Sequence, residues 1–408
     1  MNKKIASVFL IMGLLMLYSC GNNEKLSGYD IEIIDIAEAV ENPKVIKLGK
    51  YASQIRYIPL EYSSQSMLGD ATRLNIIKLN DVFCIWATPA GTLLGDPVMC
   101  FNEKGDFLNS VGVHGRADNE FLTICNVFAN DRRNLILISD RDRALVYSKE
   151  GLHKYNFDMC HNGILGVDGA WLENDMFVFI KRKNFGAYLD DKNPRSDELV
   201  VVDTTGTVIN RFDLGNHILR TFEHNDPFLG KGTGVLTKRA TMFESDNYIR
   251  ILRNNDIIYD FNIIERKLKA EYKVNFGKYG TDNVKIGANI NSIMESDRFI
   301  LMRVIFSSLD FPNYNQNYIN SYLVYDKTDK KTMCIKFNSE DSAAVFTNDI
   351  DGGMNFYPQY IKDGKMYQIV NAIDFIEMAE KSTSAHMKEV AAQLTEESNP
   401  VVVEVTLK

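Results

Sequence analysis

The chain has 408 residues, of which 25% are charged and 11% aromatic, and a net charge of −8. An acidic, mixed-sign composition lacks the basic footprint that nucleic acid demands, so nucleic acid is excluded as a partner. Lys3 and Lys4 are the only charges before residue 20, and removing them leaves a net charge of about −10. Length alone allows two or three domains, but closed β architectures often use this much chain as one unit.

At the N-terminus, Ile5 to Leu17 is an apolar run behind a basic flank. Its roughly 13 residues fall short of the ~20 that a membrane-spanning helix needs, and such a run reads as the hydrophobic part of a secretory signal. It ends in Leu17-Tyr18-Ser19-Cys20, followed by Gly21-Asn22-Asn23. This resembles the lipobox of bacterial lipoproteins, with Tyr18 where a small residue is usual. The resemblance implies that Cys20 is lipidated and anchors the mature chain in a Gram-negative cell envelope, at the outer membrane. On that reading residues 1–19 are a lipoprotein signal peptide, 20–28 a polar tether and 29–408 the folded domain.

From the tether to about residue 372, aromatic and β-branched runs alternate with Asp, Asn and Gly, the composition of strands and turns. The clearest hairpin is Val98 to Phe101, turn Asn102-Glu103-Lys104-Gly105, then Asp106 to Val111. Gly105 suits the left-handed position such turns require. Further hairpins are predicted from Ala144 to Phe157, Leu199 to Leu214, Ile257 to Phe276 and Tyr322 to Phe337. Each follows another strand pair, and the unit recurs at roughly 45 to 65 residues, as propeller blades do. With the terminal run from Asn399 to Leu407 this gives six blades. An irregular sandwich is the competing reading.

One segment differs: Asp374 to Leu394 is rich in Ala, Glu, Met and Lys, with Phe375, Ala379, Met387 and Val390 on a helical stripe. It predicts a helix, broken near Ser382-Thr383-Ser384, inserted before the last strand. The expected fold class is therefore all-β, a six-bladed β-propeller with a short C-terminal helical insertion. Ring closure should pair Val401 to Val405 within the last blade, with Val45 to Leu48 as one candidate partner.

Three stretches also resemble the six-bladed β-propeller lipoprotein family, which is related to NHL-type propellers. They are Ile55-Arg56-Tyr57-Ile58-Pro59-Leu60-Glu61, Phe101 to Leu108 running on to Glu120-Phe121, and Asn399-Pro400 with its aliphatic run. Ala117-Asp118-Asn119 stands where that family usually has Gly-Pro-Gly. The resemblance implies the fold but assigns no activity.

Candidate chemistry is sparse. The histidines His114, His153, His161, His217, His224 and His386 show no metal-ligand spacing. Asp140-Arg141-Asp142-Arg143 reads as a channel-lining acidic group or as a surface ion pair. Asp349 to Gly353 resembles a fragment of a calcium loop without its remaining ligands, and Gly230-Lys231-Gly232-Thr233-Gly234 has no Walker spacing. Both read as inter-blade loops. Phe311, Tyr314, Tyr318, Tyr322, Phe356, Tyr357 and Tyr360 have the composition of a carbohydrate- or peptide-binding rim and of ordinary propeller loops alike. The cysteines after Cys20 are an odd set, Cys84, Cys100, Cys125, Cys160 and Cys334. Four sit in strand-like runs as small buried hydrophobes, and no spacing demands a disulfide.

The candidate binding loop is Gly112 to Phe121, where His114, Arg116, Asp118 and Glu120 carry both charge signs toward a propeller face. Pairing that merely fixes the crossing between blades is its other reading. Two functions remain: a non-catalytic binding or scaffold lipoprotein for a glycan, peptide or envelope protein, without cofactor or metal, or an NHL-type or calcium-dependent lyase- or lactonase-like enzyme. No catalytic residue is assigned.

Overall fold

The computed structural model describes residues 31–87, 96–140, 143–158, 169–171, 176–183, 196–216, 218–226, 230–238, 240–245, 248–253, 256–262, 265, 267–280, 288–307, 318–339 and 343–408. Glu32–Lys408 form one compact unit. Cys20 and the signal-like segment lie outside the described residues.

Two strands come first in the chain, β1 (Glu32–Asp35) and β2 (Ala52–Pro59), and both are used by blades formed much later. Blade 1 is β3 (Leu74–Leu79), β4 (Val82–Ala87), β5 (Val98–Asn102) and β6 (Phe107–Val111). Blade 2 is β7 (Asn126–Asn130), β8 (Leu135–Asp140), β9 (Arg143–Ser148) and β10 (His153–Asp158). Blade 3 is β11 (Gly169–Trp171), β12 (Phe177–Lys183), β13 (Ser196–Val202) and β14 (Val208–Asn216). A two-stranded insertion follows, β15 (Ile218–Asp226) and β16 (Gly230–Lys238).

Blade 4 is β17 (Thr241–Ser245), β18 (Tyr248–Arg253), β19 (Ile257–Asn262) and β20 (Lys267–Asn275), to which β1 adds in parallel. Blade 5 is β21 (Asn289–Glu295), β22 (Phe299–Ser307), β23 (Tyr318–Asp326) and β24 (Lys331–Cys334). A minimal ladder, β25 (Phe337–Asn338) with β26 (Ala343–Ala344), precedes blade 6. Blade 6 is β27 (Tyr360–Lys362), β28 (Lys365–Val370), β29 (Val401–Leu407) and, on its outside, β2. The first strands of the six blades neighbour one another around the axis, so the ring is closed.

The apolar runs predicted as strands become middle strands, sandwiched between blades and buried on both faces. Leu135–Asp140 is buried throughout, whereas outer β20 alternates exposed and buried positions. Six clusters of buried side chains fill the six gaps between blades. Cys84, Cys100, Val127 and Ile136 pack between blades 1 and 2, and Ile58, Ile76, Phe83 and Tyr367 between blades 6 and 1.

Closure happens within the sheet of blade 6. Strand β29 lies between β28 and β2, with Val403 opposite Gln368 and Tyr57. Val45 to Leu48, the candidate partner, does not pair with it: Lys44 and Lys47 form isolated parallel bridges to Ile335 and Thr347. A 3-10 turn at Leu48–Lys50 interrupts that stretch, while Ala52–Pro59 offers eight continuous residues. Residues 36–50 thus run across blade 5, between the strand donated to blade 4 and the strand donated to blade 6. The helical insertion is as expected: α1 (Ala372–Lys381) and α2 (Ala385–Ala391) lie between β28 and β29 and separate at Ser382–Ser384.

The three family-like stretches meet at this seam. Asn399, 2% exposed, accepts from the Leu68 amide (2.8 Å) and donates to the carbonyls of Glu61 (2.6 Å) and Ser66 (2.7 Å). The Glu61 carboxylate accepts from the Phe107 amide (2.8 Å), and its own amide donates to the Gly105 carbonyl (2.8 Å). Gly105 has φ +90°, and a Cβ there would drive into the Pro59 carbonyl oxygen.

Val401, Val402, Val403 and Val405 are each fully buried. At about 1.5–3 kcal/mol per buried side chain they contribute about 6–12 kcal/mol, comparable with the whole margin of a typical domain, about 5–15 kcal/mol. Asn399→Ala strands the Leu68 amide and the Glu61 and Ser66 carbonyls, of which only the last belongs to a buried residue, so it should lower stability by about 1–3 kcal/mol in urea titration. An unchanged midpoint would show that the seam does not rest on Asn399.

Candidate functional site

The first strand of each blade lines the axis, and β27 also approaches β17 across it. At the end where these strands turn back, five polar side chains from four blades come together. Lys362 (β27) reaches past blade 1 to Asp131, which follows β7, at 2.8 Å. Asn80, in the β3–β4 turn with φ +52°, fixes Asp131 from the other side. Its amide donates to the carboxylate (2.8 Å), and its side chain donates to the Asp131 carbonyl (2.9 Å) and to Asn134 (3.0 Å).

Glu244 on β17 is the second carboxylate of the group. Enclosure between blades pushes its pKa up to about 7, Lys362 opposes that rise, and the charge of Asp131 adds to it. Its side chain nonetheless keeps solvent-accessible surface. Burial would lower the Lys362 amine, but the Asp131 hydrogen bond and charge, joined by Glu244 and Asp363, outweigh it and hold the pKa above the usual lysine value. Enclosure, with the charge of Glu244, raises the Tyr360 hydroxyl well above its ordinary range. The group offers one carboxylate already paired, one that forms no ion pair among the described residues, and a phenol, all held by a rigid ring.

The loop Gly112 to Phe121 connects β6 to β7 and is tied to blade 2. Phe121 exchanges backbone hydrogen bonds with Val113 and Gly115 (3.0 Å each). Arg143 donates to the Glu120 carbonyl, Tyr147 to the Asn119 carbonyl (2.9 Å) and Asn156 to the Asp118 carbonyl. The Glu120 carboxylate turns inward to accept from the Ala117 amide (2.9 Å). His114 is half-buried, edge-on to Phe121, whereas Arg116 and Asp118 are exposed. The loop is thus held through its carbonyls, and neither Arg116 nor Glu120 forms an ion pair with another blade among the described residues. Glu120→Ala should lower the melting temperature by a few degrees and Arg116→Ala should leave it unchanged. The opposite ranking would assign the loop's order to Arg116.

The other candidates disperse. Asp140 is 2% exposed and accepts from the Leu122 and Thr123 amides (3.1 Å each) beside Arg143 (3.3 Å). It is a buried tie for the loop exit, neither a surface pair nor a channel group, while Arg141 and Asp142 lie outside the described residues. The Asp351 carboxylate takes protein donors on both oxygens: Ser384 (2.6 Å), Asn348 (2.7 Å), the Gly353 amide (3.0 Å) and Tyr57 (3.1 Å). Through these bonds the loop docks the start of α2.

Gly230 to Gly234 lies in β16, with Gly234 opposite Phe222, so it is strand and not a loop that could cradle phosphate. Tyr322 and Tyr357 share a hydroxyl contact of 2.8 Å and Phe356 is buried, so these three form no common rim with Tyr360. Phe311 and Tyr314 are outside the described residues. So are His161 and His217; His153 binds Asn156 (2.7 Å), and His386 is exposed beside Tyr57. No group of three metal-ligating side chains forms among the described residues.

Asn80, Asp131, Glu244, Tyr360 and Lys362 went unread in the sequence because they are scattered over nearly three hundred positions. Aligning the blades would have found most of them, since all but Tyr360, which opens β27, lie at or just after the end of a first strand. The raised pKa of Glu244 means the fold disfavours its ionised form. Stability should therefore fall as pH rises from the unfolded value of about 4.5 to about 7, then level off. Glu244→Gln should flatten melting temperature against pH over that window. A wild-type curve already flat there would contradict the shift.

A crystal structure described as an exported protein of Bacteroides fragilis superposes with a TM-score of 0.61 at 15% identity, covering 93% of this chain and 99% of that one. A member of the DUF4221 family from Bacteroides vulgatus gives 0.39 at 12% identity, covering 88% and 97%. The Neurospora crassa Pan2 WD40 domain gives 0.41 at 10%, covering 83% and 89%. No curated protein matches the sequence. The first likeness is one of fold. Residues 31–406 match the family described as "Domain of unknown function (DUF4934)", and the chain belongs to that family.

Proposed function

We propose that this chain is a lipid-anchored binding propeller of a Gram-negative cell envelope, held to the membrane by its Cys20 tether. Its ligand is a polar one, a glycan or peptide, taken at the axial group of Asn80, Asp131, Glu244, Tyr360 and Lys362. The observation that carries this reading is convergence: four blades supply donors and acceptors to one end of one channel. Rings of this kind preorganise a site, so little ordering cost opposes binding. Export is supported by the signal-like N-terminus and by the description of the Bacteroides fragilis protein of similar fold.

One observation favours a second reading. A carboxyl poised near neutrality, beside an amine and a phenol, can also serve as a proton carrier in catalysis. Binding without turnover separates the two.

Cys20→Ser should shift the protein from the membrane to the soluble fraction and remove the lipid mass from residue 20. Unchanged fractionation with an unmodified wild-type Cys20 would defeat the anchor. For the site, defined oligosaccharides and envelope peptides are titrated against wild type and Lys362→Ala. At least tenfold weaker binding by the variant, at comparable melting temperature, is expected. Equal binding would place the ligand elsewhere.

A further inference from the structure

We infer that Cys84 and Cys100 are joined by a disulfide in the exported chain. They stand directly opposite each other across the antiparallel β4–β5 ladder, with sulfurs 3.9 Å apart and both side chains fully buried. Facing residues of such a ladder have Cα atoms about 4.5–5.5 Å apart. That lies inside the roughly 4.4–6.8 Å that disulfides bridge. A change of side-chain torsion therefore closes the gap without moving the ladder.

The placement gives the bond a purpose. Between the two cysteines the chain leaves β4 at Ala87 and returns only at Val98, a long connection for a hairpin. A crosslink at its stem restricts the unfolded chain and favours the pairing of these two strands. The strands belong to blade 1, which borders the seam where the ring closes. Cys334 belongs to the core between blades 4 and 5, far from this pair in the ring.

The oxidant is an external disulfide, of the class that exporting compartments supply. The thiolate of one cysteine attacks it, forming a mixed disulfide and releasing one thiolate. The second cysteine, as its thiolate, then attacks the protein sulfur and expels the other half. Two electrons and two protons leave the pair, and one external disulfide becomes two thiols. In the finished blade the Cys100 hydrogen bond and burial hold the Cys84 thiol well above its ordinary range. Exchange therefore belongs to folding, before the blade is sealed.

The inference rests on the export reading only for the source of the oxidant, so two arms test it. The full chain is unfolded in urea, refolded in reduced and oxidised glutathione, alkylated under denaturing conditions and digested. A peptide pair linked through Cys84 and Cys100, lost on reduction, is expected. Alkylation of both, or a link from either to another cysteine, overturns the proposal. In the second arm the same digest is made on protein from fractionated cells. Envelope-located protein with both thiols free also overturns it. Protein found in the cytoplasm defeats the export reading instead, and the refolding arm then decides the pairing.

Discussion

The join between the two ends of the chain is the constraint on which the structure depends. A propeller without closure is a row of sheets with two raw edges, and each blade alone is a four-stranded sheet that cannot hide its faces. Here the join is a strand exchange, with β2 completing the blade that β27, β28 and β29 begin. Asn399 and Glu61 fix its register through hydrogen bonds to the backbone, and Gly105 through a positive φ and a close approach to Pro59 that exclude a Cβ. Charge reinforces the same place. Buried Glu404 is approached by Lys365 (3.0 Å) and Arg56 (3.5 Å), and Lys78, 4% exposed, meets Glu103 at 2.6 Å.

A comparable device holds blades 4 and 5. Arg250 is 4% exposed, forks onto Glu295 (2.6 and 2.8 Å) and reaches Asp260 (2.8 Å), while Lys327 binds Glu295 from the far side (2.6 Å). The Tyr248 and Tyr272 rings cover the guanidinium. Buried ion networks add little net stability over an apolar filling, but losing one member leaves an uncompensated charge and costs about 3–5 kcal/mol. Such a network therefore specifies which faces may meet. In a ring of similar blades, where hydrophobic faces alone would tolerate wrong neighbours, that selectivity matters more than the energy.

Much of this was legible in the sequence, and the reason is local. Hairpins such as Val98 to Val111 announce themselves through adjacent apolar runs and a turn glycine, and α1 and α2 through a stripe broken by Ser382-Thr383-Ser384. What escaped is non-local. Strand β1 pairs with a strand some 240 residues away, Glu32 opposite Tyr272, and no nearby residue reports that. The β15–β16 insertion is rich in Thr and Gly, so its polar run reads as loop until the ladder is seen. The axial group failed for the same reason, because Lys362 and Asp131 become neighbours only when the ring closes.

The parallel addition of β1 has a mechanical consequence. Whatever the N-terminal segment is fastened to, tension on it enters the fold at Glu32, on a strand held side by side with β20 by four residue pairs. Those pairs, with the Glu41–Lys278 ion pair just behind them, form a first grip, and the Lys44 and Lys47 bridges across blade 5 form a second. Only after both have yielded does the load reach β2. The propeller thus carries a strain relief, a short sacrificial grip that lets go before the ring is forced open.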